Sequence, residues 1–323
     1  MKKLLSLLLC IILLCAGMTA AQAEEEIYQC GGFEYALLDD GSAELIRYTG
    51  NADHVIIPNE LDGHLVLSVR QNPFVFYSEN THQNVSKKCT VAVAMDHPYL
   101  ATLNGVLFGK SDKKLIAYPA VLTETEYMIP DGIQIIGDYA FCDCSSLFSV
   151  SIPDSVTTIG DRAFDGCSSL TSISIPDSVT SIGYGAFQKC SALEFVTLPD
   201  GIDIINRFAF SNCSGLKSVE IPDNVTSIED SAFMGCSALV SIIIPENVVS
   251  IGTWAFSGCY DLASITIPSS VTDIGTSTFQ FCRNLIITVN PDSYAEQYCK
   301  RFNLSYVYPD VNYGDAPTDW LFQ

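Results

Sequence analysis

The sequence predicts a β-rich repeat solenoid with short helical turns, parallel strands stacked along the array and a cap at each end. Three observations predict it. One pattern recurs seven times between residues 128 and 291 at a fixed period of 23, with no insertion or deletion in its columns. The Phe column is Phe141, Phe164, Phe187, Phe210, Phe233, Phe256 and Phe279, and the Cys column is Cys144, Cys167, Cys190, Cys213, Cys236, Cys259 and Cys282. Within each repeat the apolar period changes from helical to alternating, so every unit carries a turn and a strand. No single 23-residue unit can bury its own apolar face, so neighbouring units must bury it for one another.

The repeat can be followed in order. Ala163, Phe164, Cys167 and Leu170 lie at helical spacing. Asp161 precedes them, placed as an N-cap, and Asp138, Asp230, Thr253 and Thr276 fill the same slot. Tyr184 and Arg207 occupy that slot in the two repeats between, so those turns start without the cap. From Leu170 the period becomes two: Ile173 and Ile175 face inward, Ser172 and Ser174 outward. Pro176 ends the strand because it cannot donate to a ladder. Val179 and Ile182 form a second apolar segment on the opposite wall, followed by a column of Gly137, Gly160, Gly183, Gly252 and Gly275. Glycine there suggests a left-handed turn, although Asn206 and Glu229 stand in the same column.

The first residues read as a signal peptide. Lys2 and Lys3 precede an apolar run from Leu4 to Ala16, and Ala21-Gln22-Ala23 is a small-residue cleavage site, with cleavage expected near Ala23. The run is too short to span a bilayer comfortably. Phe33–Leu38 and Ala43–Tyr48 predict a hairpin about Asp39–Ser42, followed by a strand at Val55–Pro58 and a degenerate repeat at Leu61–Val66. Period is lost from Gln71 to Tyr127, where Thr90–Ala94 alternates like a strand, and Asn104–Phe108 with Lys114–Tyr118 predict a second hairpin. At the far end Ser293 caps a helix with Ala295, Tyr298 and Phe302 on one face, and Leu304–Tyr308 returns as a strand. Ile287 falls one residue out of step, which predicts a flip of faces in the last repeat. The expected organisation is 1–23 signal peptide, 24–74 β-rich N-terminal cap with a degenerate repeat, and 75–127 irregular repeat with an inserted hairpin. Seven repeats over 128–291, a helix–strand cap over 292–309 and a tail over 310–323 complete it.

Composition bounds the partners. Without Lys2 and Lys3, 14 basic residues face 37 acidic ones. That surface disfavours nucleic acid and anionic lipid, and no other stretch is long and apolar enough for membrane insertion of the mature chain. Eleven cysteines follow residue 23. The Cys column has the spacing of a buried position, so its thiols are expected to be buried and unpaired. Cys30, Cys89, Cys142 and Cys299 lie off the column, and Cys30 with Cys89 is a candidate terminal disulfide. Cys142-Asp-Cys144 is too short to read as a metal motif, and no metal or cofactor is expected. The histidines (His54, His64, His82, His97) all precede the array, and no nucleophile elbow, phosphate loop or dinucleotide fingerprint accompanies them. A catalytic role is not expected.

Val179-Thr-Ser-Ile-Gly183, Ala186-Phe-x-x-Cys190 and Leu-x-x-Ile-x-Ile-Pro resemble the BspA-like class of bacterial leucine-rich repeats over roughly residues 30–308. Asn104-Gly-Val-Leu-Phe-x-Lys, Leu115-Ile-Ala-Tyr-Pro119 and Tyr294-Ala-Glu-Gln-Tyr-Cys299 also resemble segments within and at the end of such arrays. The resemblance implies a right-handed leucine-rich-repeat solenoid on a secreted or cell-surface protein, with adhesion to host proteins as one role, and brings no catalytic residue. A wall-sorting motif is not visible, so export without a recognisable anchor is expected.

Outward positions are where a solenoid binds. One strand row reads Ser149, Ser172, Phe195, Ser218, Ser241, Ser264, and the next Ser151, Ser174, Thr197, Glu220, Ile243, Thr266. A turn column reads Tyr139, Arg162, Gly185, Phe208, Ser231, Trp254, Ser277. The candidate ligand contacts are Phe195 and Ile243 on the strands, and Phe208 and Trp254 on the turns, with at most one of the two groups forming the site. Partial packing on the neighbouring turn is the alternative account of the turn aromatics. The expected function is a scaffold binding a host or bacterial surface protein or glycan, as an adhesin does, and the alternative is a structural repeat protein without a specific ligand. Oligomeric state is not legible.

Overall fold

The computed structural model describes residues 25–78 and 83–309. The signal segment, His82 and the tail lie outside the described residues. In the array each repeat closes three walls. The first is built from short strands such as Ser172–Ser174, Phe195–Thr197 and Ser241–Ile243. Neighbours pair parallel and in register, Ser172 with Phe195 and Phe195 with Ser218. The second wall is made of two-residue strands, Ile135–Ile136, Thr158–Ile159 and Ser181–Ile182 among them, again parallel.

The third wall carries the Phe and Cys columns. Its helical spacing closes as successive tight turns rather than as a continuous helix. The N–H of Asp165 donates to Arg162 O (3.1 Å) and that of Cys167 to Phe164 O (3.1 Å). Between them, the N–H groups of Phe164 and Gly166 cross to Ala186 O (2.7 Å) and Gln188 O (2.8 Å) of the next repeat. Backbone groups thus alternate between their own turn and the neighbour, and so find partners without strand or helix.

The interior matches that alternation. Rings from Phe141 to Phe279 stack 4.8–5.9 Å apart with planes 2–8° from parallel. Tyr118 stacks on Phe141 at one end, and Tyr298 meets Phe279 edge-on at the other. Every thiol of the Cys column donates to a backbone carbonyl one repeat back, as Cys213 Sγ does to Phe187 O (3.0 Å). Serine and asparagine stitch the far side: Ser178 Oγ donates to Val156 O (2.7 Å) and Asn224 Nδ2 to Asp200 O (2.7 Å).

Four sequence expectations are corrected. Asp161 does not cap its own turn; its Oδ1 accepts from Tyr184 N (2.8 Å) of the next repeat, as Asp138 does from Asp161 N and Asp230 from Thr253 N. The Gly column is not left-handed. A Cβ on Gly183 would lie 2.5 Å from Asp161 Oδ1, so glycine stands there because adjacent repeats approach closely. The last repeat does not flip its faces. The chain is one residue short after Leu285, Ser264 pairs with Ile286 and Ile265 with Ile287, and Ile287 is buried. Cys30 and Cys89 are both free thiols.

The N-terminal stretch forms its own core, including Phe33, Tyr35, Leu45, Val66 and Leu100. The strands Phe33–Leu37 and Ala43–Tyr48 form the expected hairpin. The strand His54–Ile57 leaves that sheet and pairs in parallel with Thr90–Val93. A hairpin of Val106–Gly109 and Lys114–Ala117 joins the two cores. Leu107 and Ile116 face the N-terminal one, Phe108 and Leu115 the array. Its second strand pairs with Ile135–Ile136 and so begins the second wall. Leu100–Leu103, which pairs with the first strand of this hairpin, is an extra strand absent from the sequence reading. At the C-terminus the helix Tyr294–Phe302 starts at Ser293, whose Oγ accepts from Glu296 N (3.2 Å). Ala295, Tyr298 and Cys299 are its buried face, while Phe302 lies at the rim, 44% exposed and against Tyr298.

Candidate functional site

The first strand wall presents its Ser and Thr rows to solvent because side chains alternate along each strand. Phe195 is 52% exposed and Ile243 is 73% exposed within those rows. They stand in different rows two repeats apart, Ile243 in line with Thr197. Val240, 52% exposed, begins the same repeat edge as Ile243. Lys217 Nζ lies 5.8 Å from the Phe195 ring centre and pairs with Glu194 at 2.7 Å. A shallow groove of about 540 Å³ runs over Ser149–Ile152, Ser172–Ser174, Phe195 and Thr197, with Asp154 at its rim. A second, of about 490 Å³, continues past Thr197 to Asp177, Asp200, Glu220 and Asp223.

The turn residues belong to another face. Tyr139, Arg162, Phe208 and Trp254 all hold φ between 52° and 58°, the left-handed region, which bulky side chains rarely adopt. Phe208 is half-buried against Tyr184, ring centres 5.3 Å apart, so packing on the neighbouring turn accounts for much of it. Trp254 is 48% exposed. Arg162 extends over the Tyr184 ring and donates to Asp165 (2.9 Å) and Gln188 (2.6 Å). Burial pushes the Asp165 carboxyl above its ordinary value, against the pull of Lys189 and Arg162. The structure therefore brings Phe195 and Ile243 onto one wall and leaves Phe208 and Trp254 on another. Sequence reasoning did not find the grooves, whose rim is the carboxylate that follows each wall's proline.

The column thiols are unpaired, and all are buried except that of Cys282, which is half-buried. Burial raises those of Cys144, Cys167, Cys190 and Cys236 well above the ordinary thiol range and that of Cys282 to about 11. Their protons stay on sulfur, where they serve the Tyr118 carbonyl for Cys144 and Phe carbonyls for the others. His54 and His64 bond to Thr90 and Gly41 O, and His97 is buried in the N-terminal core region. Among the described residues no helix is long and apolar enough to cross a membrane.

Stacked parallel strands, a turn wall and continuous outward rows define a repeat scaffold of the leucine-rich class. The model of the BspA-type leucine-rich repeat region matches residues 122–239 and 203–304, more than half of the 323 residues, and the chain belongs to that family. A leucine-rich repeat protein from Eubacterium ventriosum is similar in structure, with 28% identity and a TM-score of 0.62, over 72% of this chain and 60% of that one. The pneumococcal vaccine antigen PcpA, at 20% identity and a TM-score of 0.51, shares the fold over 81% of this chain and 57% of its own. This chain thus spans less than two thirds of either protein. No curated protein matches it.

Proposed function

We propose that the chain is an exported binding scaffold whose first strand wall is the ligand face, with Phe195 and Ile243 contacting a protein or glycan on another surface. The observation that carries this reading is their exposure, 52% and 73%, inside rows made, apart from Glu220, of small hydroxyl residues. Large apolar side chains in such rows cost solubility and are common anchors at interfaces. The basic, apolar and small-residue order of residues 1–23 supports export, and family membership supports a binding scaffold. Adhesion is the finer form of this reading.

The test is a binding screen of the protein against immobilised matrix proteins and a glycan array, with the Phe195→Ala/Ile243→Ala variant alongside. The expected result is a saturable hit that weakens at least about tenfold in the variant. A hit that both proteins bind equally would move the site off this wall. Silence across the screen would favour a structural repeat protein without a ligand.

A further inference from the structure

The apolar side chains of the first strand wall lie beside a row of negative charge. The residue after each wall proline is acidic through Asp131, Asp154, Asp177, Asp200, Asp223 and Glu246, and all six are exposed. Stacking places them one strand spacing apart, roughly 4.8 Å, so they form a line along the axis. Among the described residues none of the six has a Lys or Arg within ion-pair distance. The ion pairs of the array are made instead by Asp165, Glu194, Glu229 and Asp230. Between residues 128 and 291 there are 17 acidic and 5 basic residues, so the sequence supplies little to balance the line. Lys217, the basic side chain beside Phe195, is already paired with Glu194.

Resting on the reading of this wall as the ligand face, we infer that its occupant is a basic, extended protein segment, carrying Lys or Arg beside an apolar residue. Charge complementarity selects it. Neutral sugars would leave the carboxylates uncompensated, and acidic glycans would meet like charge. A single metal ion does not match the geometry, because among the described residues no three His, Cys, Asp or Glu groups are placed to hold one. A line of single carboxylates fits several cations spaced along a chain. From Asp154 to Glu246 it runs about 19 Å at that strand spacing, which about six extended residues cover. Phe195, with Val240 and Ile243 further along, offers apolar contacts beside the same line, and the two grooves meet at Thr197.

The probe is a synthetic peptide of about nine residues, with lysines flanking a central phenylalanine on a Gly-Ser background. Its charge-inverted glutamate twin and a neutral twin serve as comparisons. Binding is followed by fluorescence anisotropy across a salt series with the intact protein, the D154N/D177N/D200N/D223N variant and Phe195→Ala, each checked for native circular dichroism. The lysine peptide is expected to bind saturably, to weaken with salt, and to lose at least about tenfold in affinity in the four-Asn variant together with most of its salt dependence. Phe195→Ala should weaken the same peptide while keeping the salt slope. If the four-Asn variant binds unchanged while Phe195→Ala weakens binding, the cationic class is overturned and the ligand face stands. Equal binding of the neutral or glutamate peptide would likewise overturn the cationic class alone. Saturable binding indifferent to both variants would overturn the ligand face as well, and so would no binding by any of the three peptides together with silence on the glycan array.

Discussion

Single residues here work mostly for their neighbours' repeats. Cys213 fills a small buried space and donates its S–H to Phe187 O (3.0 Å). Cys213→Ala removes one of the two hydrogen bonds to that carbonyl, which also accepts from Cys190 N (3.2 Å), and empties the space of the sulfur. It should lower unfolding free energy by about 1–2 kcal/mol, read by urea denaturation. Truncating a stacked ring is costlier: Phe210→Ala should remove about 3–5 kcal/mol in the same assay. Trp254 tests the left-handed turn. Because its φ is 57°, Trp254→Gly should be about 1 kcal/mol more stable than Trp254→Ala, the reverse of the order expected in a helix interior. His97 tests burial. Its Nδ1 accepts from Leu100 N (3.1 Å), and burial, aided by nearby Lys110, holds its pKa below the ordinary value. The unfolded chain then takes up the proton more readily than the folded one. Stability should be flat in this respect above about pH 6.5 and fall as pH drops below it toward the folded value, with the slope reduced in His97→Gln. Denaturation midpoints across that window check it.

At the scale of the element, legibility follows period. The Phe, Cys and Leu columns, both strand walls and the capped helix at Ser293 could be read because each reports its own burial through spacing along the chain. Asp161 could not, because its partner, Tyr184 N, is 23 residues away and only stacking brings the two together. The glycine columns show the same limit. Gly183 is required by contact with Asp161, whereas the left-handed φ belongs to Arg162 and Gly166 and their equivalents. The second of those columns reads Asp143, Gly166, Lys189, Asn212, Gly235, Gly258 and Phe281, rich in the residue types that tolerate positive φ. That signal was present in the sequence. The first column hid it behind Tyr139, Phe208 and Trp254. Gly183→Ala should therefore cost about 1–3 kcal/mol through a steric clash although its φ suits any residue, and thermal denaturation would show it.

Among the described residues two cores share a hairpin, whose strand Lys114–Ala117 begins the second wall, and Asn72 and Ser86 hydrogen-bond across to the first turn of the array. In such arrays each unit is stable only against its neighbours, so the ends matter as much as the middle. Tyr118 and Tyr298 close the ring stack, and neither belongs to the Phe column that announced the fold. The proposed ligand face was partly legible. Its rows and Phe195 and Ile243 could be named from alternation, but the carboxylate rim could not be placed beside them until the strands were stacked. Phe208 and Trp254 share the aromatic character of an interface while occupying a different wall.

That division gives the most direct test of where function resides. Affinity for one saturable ligand from the screen should be measured for the intact protein, for Phe195→Ala/Ile243→Ala and for Phe208→Ala/Trp254→Ala, with matched denaturation curves. The strand wall as ligand face predicts a loss of at least about tenfold for the first pair and less than about twofold for the second. Full loss in the second pair with the first unchanged would place the site on the turns and contradict the account.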